Sequence, residues 1–337
     1  MGSDQKRGGF TVGPVPVEGA ALLAPLSGVT DLAFRRIAMR FGAGLVVSEM
    51  VASDALVLGE AEAQVRAEGH GVAPHVVQLA GRDPRWMAEA ARIAEANGAA
   101  IVDINMGCPA KRVIGGFAGS ALMRELDHAA RIVAATVAAV SVPVTVKMRL
   151  GWDEHSINAP ELAARAEALG ARAVTVHGRT RQQFYKGSAD WRRIGAVSEA
   201  VSIPVVANGD VQSVQDAQRC LTQSGATAVM VGRAAMGRPW LVGRIAAALA
   251  GRPWREPTPE AKAEAAVEHY EGLLSLYGRE VGLRHARKHL AAYADVAASV
   301  GHDVSGHVRG RLVTSLDPRE VVLLLRQIYE PVLREAA

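Results

Sequence analysis

The sequence predicts an α/β protein, a (β/α)8 TIM barrel followed by a small C-terminal α-helical domain. Three observations carry this. Eight short apolar runs alternate with longer segments of helical periodicity over roughly the first 240 residues. The runs lack the in–out alternation of half-exposed strands, as expected of parallel strands buried on both faces. A Pro-rich stretch, Arg252-Pro-Trp-Arg-Glu-Pro-Thr-Pro259, then interrupts the pattern.

The strand-like runs are Ala20–Ala24, Leu45–Ser48, His75–Leu79, Ala100–Asn105, Val144–Arg149, Ala173–His177, Pro204–Asn208 and Ala228–Val231. Between them, Arg85–Asn97, Asp127–Val140, Pro160–Leu169 and Val214–Thr222 carry apolar residues at helical spacing. Several of these segments stop at a glycine: Gly98, Gly170 or Gly225. An open doubly wound sheet should show G-x-G-x-x-G after its first strand, but Ala24 is followed by Pro25, Leu26 and Ser27. A closed barrel is the better reading. The barrel pattern ends near Trp240–Leu249. Beyond it lie amphipathic segments at Pro259–Tyr277, Gly278–Ala298 and Arg319–Glu335, with a shorter helix around Asp303–Val313. The chain thus divides into a flexible leader (1–15), the barrel (16–251) and the helical domain (252–337).

Composition narrows the function classes. The 337 residues fit one large domain plus an appendage, and no apolar run is long enough to cross a membrane. Two cysteines, Cys108 and Cys220, are too few for a disulfide framework or a zinc cluster. They suit a reducing cytoplasm. The ten histidines show no clustering of ligand type, so no metal site is expected. A formal charge of +4 is compatible with a polyanionic partner. It is unevenly spread, with 11 Lys/Arg against 12 Asp/Glu from Arg255 onward and a net +5 before it.

Barrel enzymes place their chemistry at the C-terminal ends of the strands, and every run here ends in polar or otherwise distinctive residues. In order these are Pro25 and Ser27, Glu49 and Met50, Gln78, Asn105 and Cys108, and Lys147 and Arg149. Then come His177 and Arg179, Asn208-Gly209-Asp210, and Gly232-Arg233. The last two groups put Gly-rich turns after strands 7 and 8, where barrels commonly bind phosphate, and Arg233 adds charge there. Lys147 lies inside an apolar run, so its charge needs a partner such as a phosphate-bearing cofactor. Cys108 lies on a loop just past a strand, where a thiol can serve as a general acid. Cys220 falls in a helical core pattern.

These residues sit in stretches that resemble the tRNA-dihydrouridine synthases, most closely the bacterial B-type. The stretches are Leu23–Asp31 with Phe34-Arg35, Ser48-Glu-Met50, Val77–Ala80, Asp103-Ile-Asn-Met-Gly-Cys-Pro-Ala-Lys111 and Gly119–Leu122. The resemblance continues through Pro143–Asp153, Thr175-Val-His-Gly-Arg-Thr-Arg181, Pro204–Asp210 and Val231-Gly-Arg233. It implies a barrel holding FMN, reduced by NADPH, and a helical domain that helps grip tRNA, with no obligatory protein partner and no membrane. Pro25, Gln78, Lys147, His177, Asn208, Gly209, Asp210, Gly232 and Arg233 would hold the flavin. Asn105, Lys147 and Arg149 would hold a flipped uracil from the D-loop, and Arg179 would also contact the substrate. Hydride would pass from the flavin to uracil C6 while Cys108 protonates C5. The segment Gly282-Leu-Arg-His-Ala-Arg-Lys-His-Leu290 puts Arg284, Arg287 and Lys288 on one helix face, where they would meet RNA phosphates. Two other readings stay open on the residues alone. A small-molecule FMN barrel enzyme would not need that basic helix, and a non-catalytic RNA-binding barrel would not need Lys147, His177 and Cys108.

Overall fold

Two strands precede the barrel. The computed structural model describes residues 8–330, and within it β1 (Phe10–Val12) and β2 (Val15–Val17) pair as an antiparallel hairpin. This corrects, for residues 10–15, the expectation of a flexible leader over 1–15. Val12 and Val17 are buried in one cluster with Leu22, Val76, Ile101 and Val206. The hairpin alternates apolar and exposed positions, and its apolar face packs onto the interior of the barrel. Two three-residue strands are too short to stand out as a pattern in a sequence. Residues 1–7, the outer part of the expected leader, lie outside the described residues.

The parallel strands follow as β3 (Ala21–Leu23), β4 (Leu45–Val46), β5 (Met50–Ala52), β6 (Val76–Ala80), β7 (Ile101–Met106) and β8 (Val144–Arg149). The set is completed by β9 (Ala173–His177), β10 (Val205–Asn208) and β11 (Ala228–Val231). Their order is β4-β3-β11-β10-β9-β8-β7-β6-β5. Because β4 and β5 are consecutive pieces of one barrel strand, the sheet closes on itself through Val47–Glu49. Of the run read as one strand, Leu45–Ser48, only Leu45–Val46 is strand, and the second piece, Met50–Ala52, lies beyond it. Ser48 bridges the break: its amide donates to the Val76 carbonyl at 3.0 Å and its Oγ accepts the Gln78 amide at 2.9 Å. Every residue of β3, β6, β7, β10 and β11 is buried, which is why these runs show no alternation.

The helical unit has a core built around Tyr270, Leu273, Tyr293, Leu325 and Tyr329, with Trp240 of the barrel's last helix packed into it. Its long helix, Pro259–Ser299, is two helices meeting at Gly278, whose φ of 73° and ψ of 165° leave the helical region. This is where the sequence pattern breaks. Helices Gly306–Thr314 and Pro318–Gln327 complete the bundle, and residues 331–335 of the last expected helix lie outside the described residues.

A buried polar lock joins barrel and bundle. Asp31 caps helix Leu32–Arg40, its Oδ1 accepting the Phe34 amide at 3.1 Å. Its Oδ2 accepts from His269 Nε2 at 3.0 Å, and His269 Nδ1 lies 3.1 Å from the Tyr293 hydroxyl. His289 Nε2 lies 3.3 Å from the Gly28 carbonyl. A carbonyl can only accept, so Nε2 carries the proton and Nδ1 is the lone-pair nitrogen, which is buried without a partner. Asp31, His269 and His289 bring ligand-type atoms within 4.8 Å of one another, all three residues being buried. This corrects the reading that the histidines do not cluster with carboxylates, because the three positions are far apart in the chain. Both oxygens of Asp31 and both nitrogens of His269 are already spent on protein partners, so the cluster is a hydrogen-bonded lock.

The lock makes folding sensitive to acid. Burial works to raise the Asp31 carboxyl, but the adjacent His269 and its hydrogen bond hold it below the ordinary range. Burial, followed by His269, pushes His289 down to about 3, with Lys288 acting in the same direction and Asp31 and the Gly28 carbonyl opposing. An unfolded histidine titrates near ~6.5. Between about 6.5 and about 3 the unfolded chain therefore binds a proton at this position that the folded chain refuses. Stability from this residue is full above that window and falls through it by ~1.4 kcal/mol per pH unit. His289→Leu should remove this part of the acid slope, read by urea unfolding at about pH 7 and about pH 5. A slope identical to that of the parent chain would refute a neutral, buried His289.

Candidate active site at the barrel mouth

One cleft of about 1480 Å³ opens over the C-terminal ends of the strands. Pro25, Gln78, Asn105, Cys108, Lys147 and Arg149 line it, as do His177, Asn208, Gly209, Asp210, Gly232 and Arg233. The closed barrel thus brings together twelve residues that the sequence places on seven different strand ends. Arg179 is behind the wall, and Arg284, Arg287 and Lys288 are on an exposed helix face outside the cleft.

The floor is a chain of hydrogen bonds that ends at the thiol loop. Thr145 Oγ1 donates to Asp103 Oδ1 at 2.6 Å, and Gln78 Nε2 donates to Asp103 Oδ2 at 2.7 Å. Asn105 Nδ2 donates to Gln78 Oε1 at 2.7 Å. Asn105 Oδ1 then accepts the amides of Gly107 at 3.1 Å and Cys108 at 2.9 Å. Each amide group is oriented by the one before it, so Asn105 has a fixed face and fixes the turn carrying Cys108. The Cys108 carbonyl is gripped from the other side by the Ser120 amide at 3.0 Å and hydroxyl at 2.9 Å. Cys108 itself is only partly buried. Asp103, which anchors the chain, was not singled out in the sequence. The available signal was a carboxylate in the middle of an otherwise buried strand, where burial pushes its pKa up.

Above this floor the cleft is rich in cationic groups. Lys147 Nζ donates to Asn208 Oδ1 at 3.1 Å, and Asn208 Nδ2 donates to the Met230 carbonyl at 2.8 Å. Burial first, then Arg149, pushes Lys147 down to about 8, with Asp103 and Cys108 opposing. Arg149 is 1% exposed. Its Nε donates to the Gly107 carbonyl at 2.8 Å, and its Nη1 to the Thr180 and Phe184 carbonyls at 2.8 and 2.9 Å. Burial and the surrounding cations Arg149, Lys147, Arg179 and Arg233 hold His177 well below the ordinary histidine range. It is a neutral imidazole. Such a site favours an anionic occupant, because the positive groups facing it are only partly compensated by the protein.

Arg179 departs from its expected ligand role. Its guanidinium is 2% exposed and pairs with Asp210, Nη1 reaching Oδ1 at 3.0 Å and Nη2 reaching Oδ2 at 2.5 Å. The Lys186 and Gly187 carbonyls take further donors at 3.1 and 2.7 Å. Burial works to raise Asp210, but the Arg179 hydrogen bonds and charge hold it low. Asp210 in turn stands 3.6 Å from Arg233 Nη2. Arg179 therefore positions the carboxylate that orients Arg233. Two aromatic residues, Phe184 and Tyr185, were missed in the sequence. Tyr185 lies under the guanidinium groups of Arg149 at 5.6 Å and Arg233 at 4.9 Å. An aromatic pair in a loop just after a strand end was the available signal, in a chain with only 4% aromatic residues.

Known proteins resemble this chain over most of its length. The family model described as dihydrouridine synthase (Dus) matches residues 22–305. A probable tRNA-dihydrouridine synthase of Rhizobium leguminosarum bv. phaseoli is 56% identical over 92% of this chain and 95% of its own length. Another from Rhodobacter capsulatus is 53% identical over 94% and 96%. A tRNA-dihydrouridine synthase B of Xanthomonas axonopodis pv. citri is 47% identical over 84% and 86%. Among solved structures, histamine dehydrogenase from Rhizobium sp. 4-9 aligns with a TM-score of 0.55 at 14% identity. That alignment spans 97% of this chain and 64% of that one, a likeness of fold alone. With a family match across the barrel and relatives more than half identical over more than 90% of its length, the chain belongs to the dihydrouridine synthase family of enzymes.

Proposed function

We propose that this enzyme reduces a D-loop uridine of tRNA to dihydrouridine, with FMN as its bound cofactor and NADPH as the reductant, in the cytoplasm. The observation that carries the reading is the meeting, in one cleft, of the Cys108 thiol with Lys147, Arg149, Arg233 and a neutral His177. Pockets for one small ligand run to ~300–1,000 Å³, so a cleft of about 1480 Å³ has room for a flavin and a flipped base together.

The residues fit FMN. Gly209 and Gly232 face the cleft beside Arg233 and suit a phosphate at close range. A Cβ at Gly209 would stand 2.7 Å from the Ala189 methyl and 2.9 Å from the His177 ring, so only glycine fits there. Pro25, Gln78, Lys147, His177, Asn208 and Asp210 would hold the remainder of the cofactor. When bound and reduced, FMN supplies the hydride that goes to uracil C6. Asn105, Lys147 and Arg149 orient the base and stabilise charge on its carbonyl oxygens. Cys108 holds the proton delivered to C5, so the C5=C6 double bond becomes single and the thiolate regains its proton from solvent. The target base must leave its stack, at a cost of a few kcal/mol. The exposed Arg284, Arg287 and Lys288 would offset part of that through phosphate contacts.

Two measurements test the reading. Transfer RNA lacking dihydrouridine, incubated with protein, FMN and NADPH, should yield dihydrouridine on nucleoside analysis. Cys108→Ala should keep FMN and tRNA binding but lose roughly 10²–10⁴-fold in turnover; a variant as fast as the parent would sink the acid role. Separately, Lys147 is charged below about 8 and neutral above it. FMN affinity should therefore weaken as pH rises through 8, and Lys147→Met should bind FMN about 10-fold more weakly at pH 7 without that step. An FMN titration with the same pH step in the Met variant would assign the titration to another group.

A further inference from the structure

The helix that carries the exposed cations also holds one wall of the cleft. Pro25, Leu26 and Ser27 line that wall, and they belong to a tight turn. The Val29 and Thr30 amides donate to the Leu26 carbonyl at 2.8 and 3.0 Å, and the Leu26 amide donates to Thr30 Oγ1 at 2.9 Å. Gly28, at φ 74°, sits at the apex, and both of its peptide groups are held. Its amide donates to the buried Glu49 carboxylate. Its carbonyl faces His289 Nε2 at 3.3 Å. A Cβ at Gly28 would stand 2.7 Å from Lys288 Nζ, so the lysine amine lies against the same apex. The bundle reaches Glu49 as well, through the Tyr277 hydroxyl at 3.4 Å. Arg284, Arg287 and Lys288, all exposed, therefore share a helix with the one side chain of that helix that hydrogen-bonds the cofactor wall.

We propose that His289 is a positioning residue that couples RNA binding on this helix face to the shape of the cofactor wall at Pro25–Ser27. The inference rests on the tRNA and FMN reading above. Phosphates drawn to Arg284, Arg287 and Lys288 bias the helix position, His289 passes that bias to the Gly28 carbonyl, and the hydrogen-bonded turn moves as one piece. Coupling of this kind is reciprocal: the factor by which tRNA tightens FMN equals the factor by which FMN tightens tRNA.

The test is the FMN dissociation constant of the full chain, read by flavin fluorescence with and without saturating dihydrouridine-free tRNA, and the reverse titration. The parent protein should show a coupling ratio of about 5-fold or more. His289→Leu, which keeps the volume and removes the donor, should bring the ratio to within about 2-fold of unity. His289→Gln, whose amide can again donate to the Gly28 carbonyl, should restore it, a rescue that a merely space-filling role would not give. If the Leu variant cannot be purified folded, His289→Asn, too short to reach Gly28, takes its place. A Leu variant coupled like the parent, or a Gln variant as uncoupled as Leu, overturns the proposal. A parent protein that makes dihydrouridine but binds FMN and tRNA independently overturns it while leaving the function intact. A parent protein that binds no tRNA overturns both.

Discussion

Closure of the parallel sheet is the constraint on which the rest depends. Parallel strands in a closed barrel all end on the same rim, so whatever follows each strand is delivered to one opening. Here the closing seam is the split strand β4/β5, held by Ser48 to Val76 and Gln78. Gln78 is both a rung of that seam and a member of the site floor. The same closure that excludes water from the interior therefore fixes the amide that orients Asn105 and, through it, the Cys108 turn.

Several carboxylates line the cleft (Asp54, Glu60, Glu62, Asp83 and Asp210), but those that act on Lys147 and Arg233 are Asp103 and Asp210. Asp103 is buried beneath the floor, and Asp210 is engaged by Arg179. Lys147, Arg149 and Arg233 remain directed at the cleft, with a neutral His177 among them. Burial, and after it the charge of Arg149, disfavours the Lys147 ammonium and lowers it toward about 8. Such an arrangement is costly in a protein that binds nothing and suited to one that binds an anion. A phosphate-bearing flavin and a polarised uracil would both answer it.

The helical unit adds a second constraint. It is joined to the barrel by apolar packing and by a lock in which Asp31, His269 and Tyr293 satisfy one another. Its charge is nearly balanced, so any RNA contact there is a local patch on one helix face, and that helix also reaches Gly28. The barrel mouth and the bundle surface are thus parts of one continuous structure.

Much of this was legible in the sequence. Fully buried strands advertise themselves as short runs of Val, Ile and Ala without alternation, and a barrel makes their ends co-local by topology, so the strand-end residues could be named before any contact was known. The break at Gly278 was legible too, because glycine there interrupts a helical period. Other features were decided only in three dimensions. Arg179 carries the same charge as Arg149, yet a carboxylate 31 positions away turns it from the cleft into a buried pair. Asp31, His269 and His289 are separated by more than 200 residues between the first and the others, and nothing local marks them as partners. Sequence determines local periodicity and which chemistry each strand end offers. Which charges are compensated, and which polar groups meet across the fold, depends on long-range packing that no window of neighbouring residues contains.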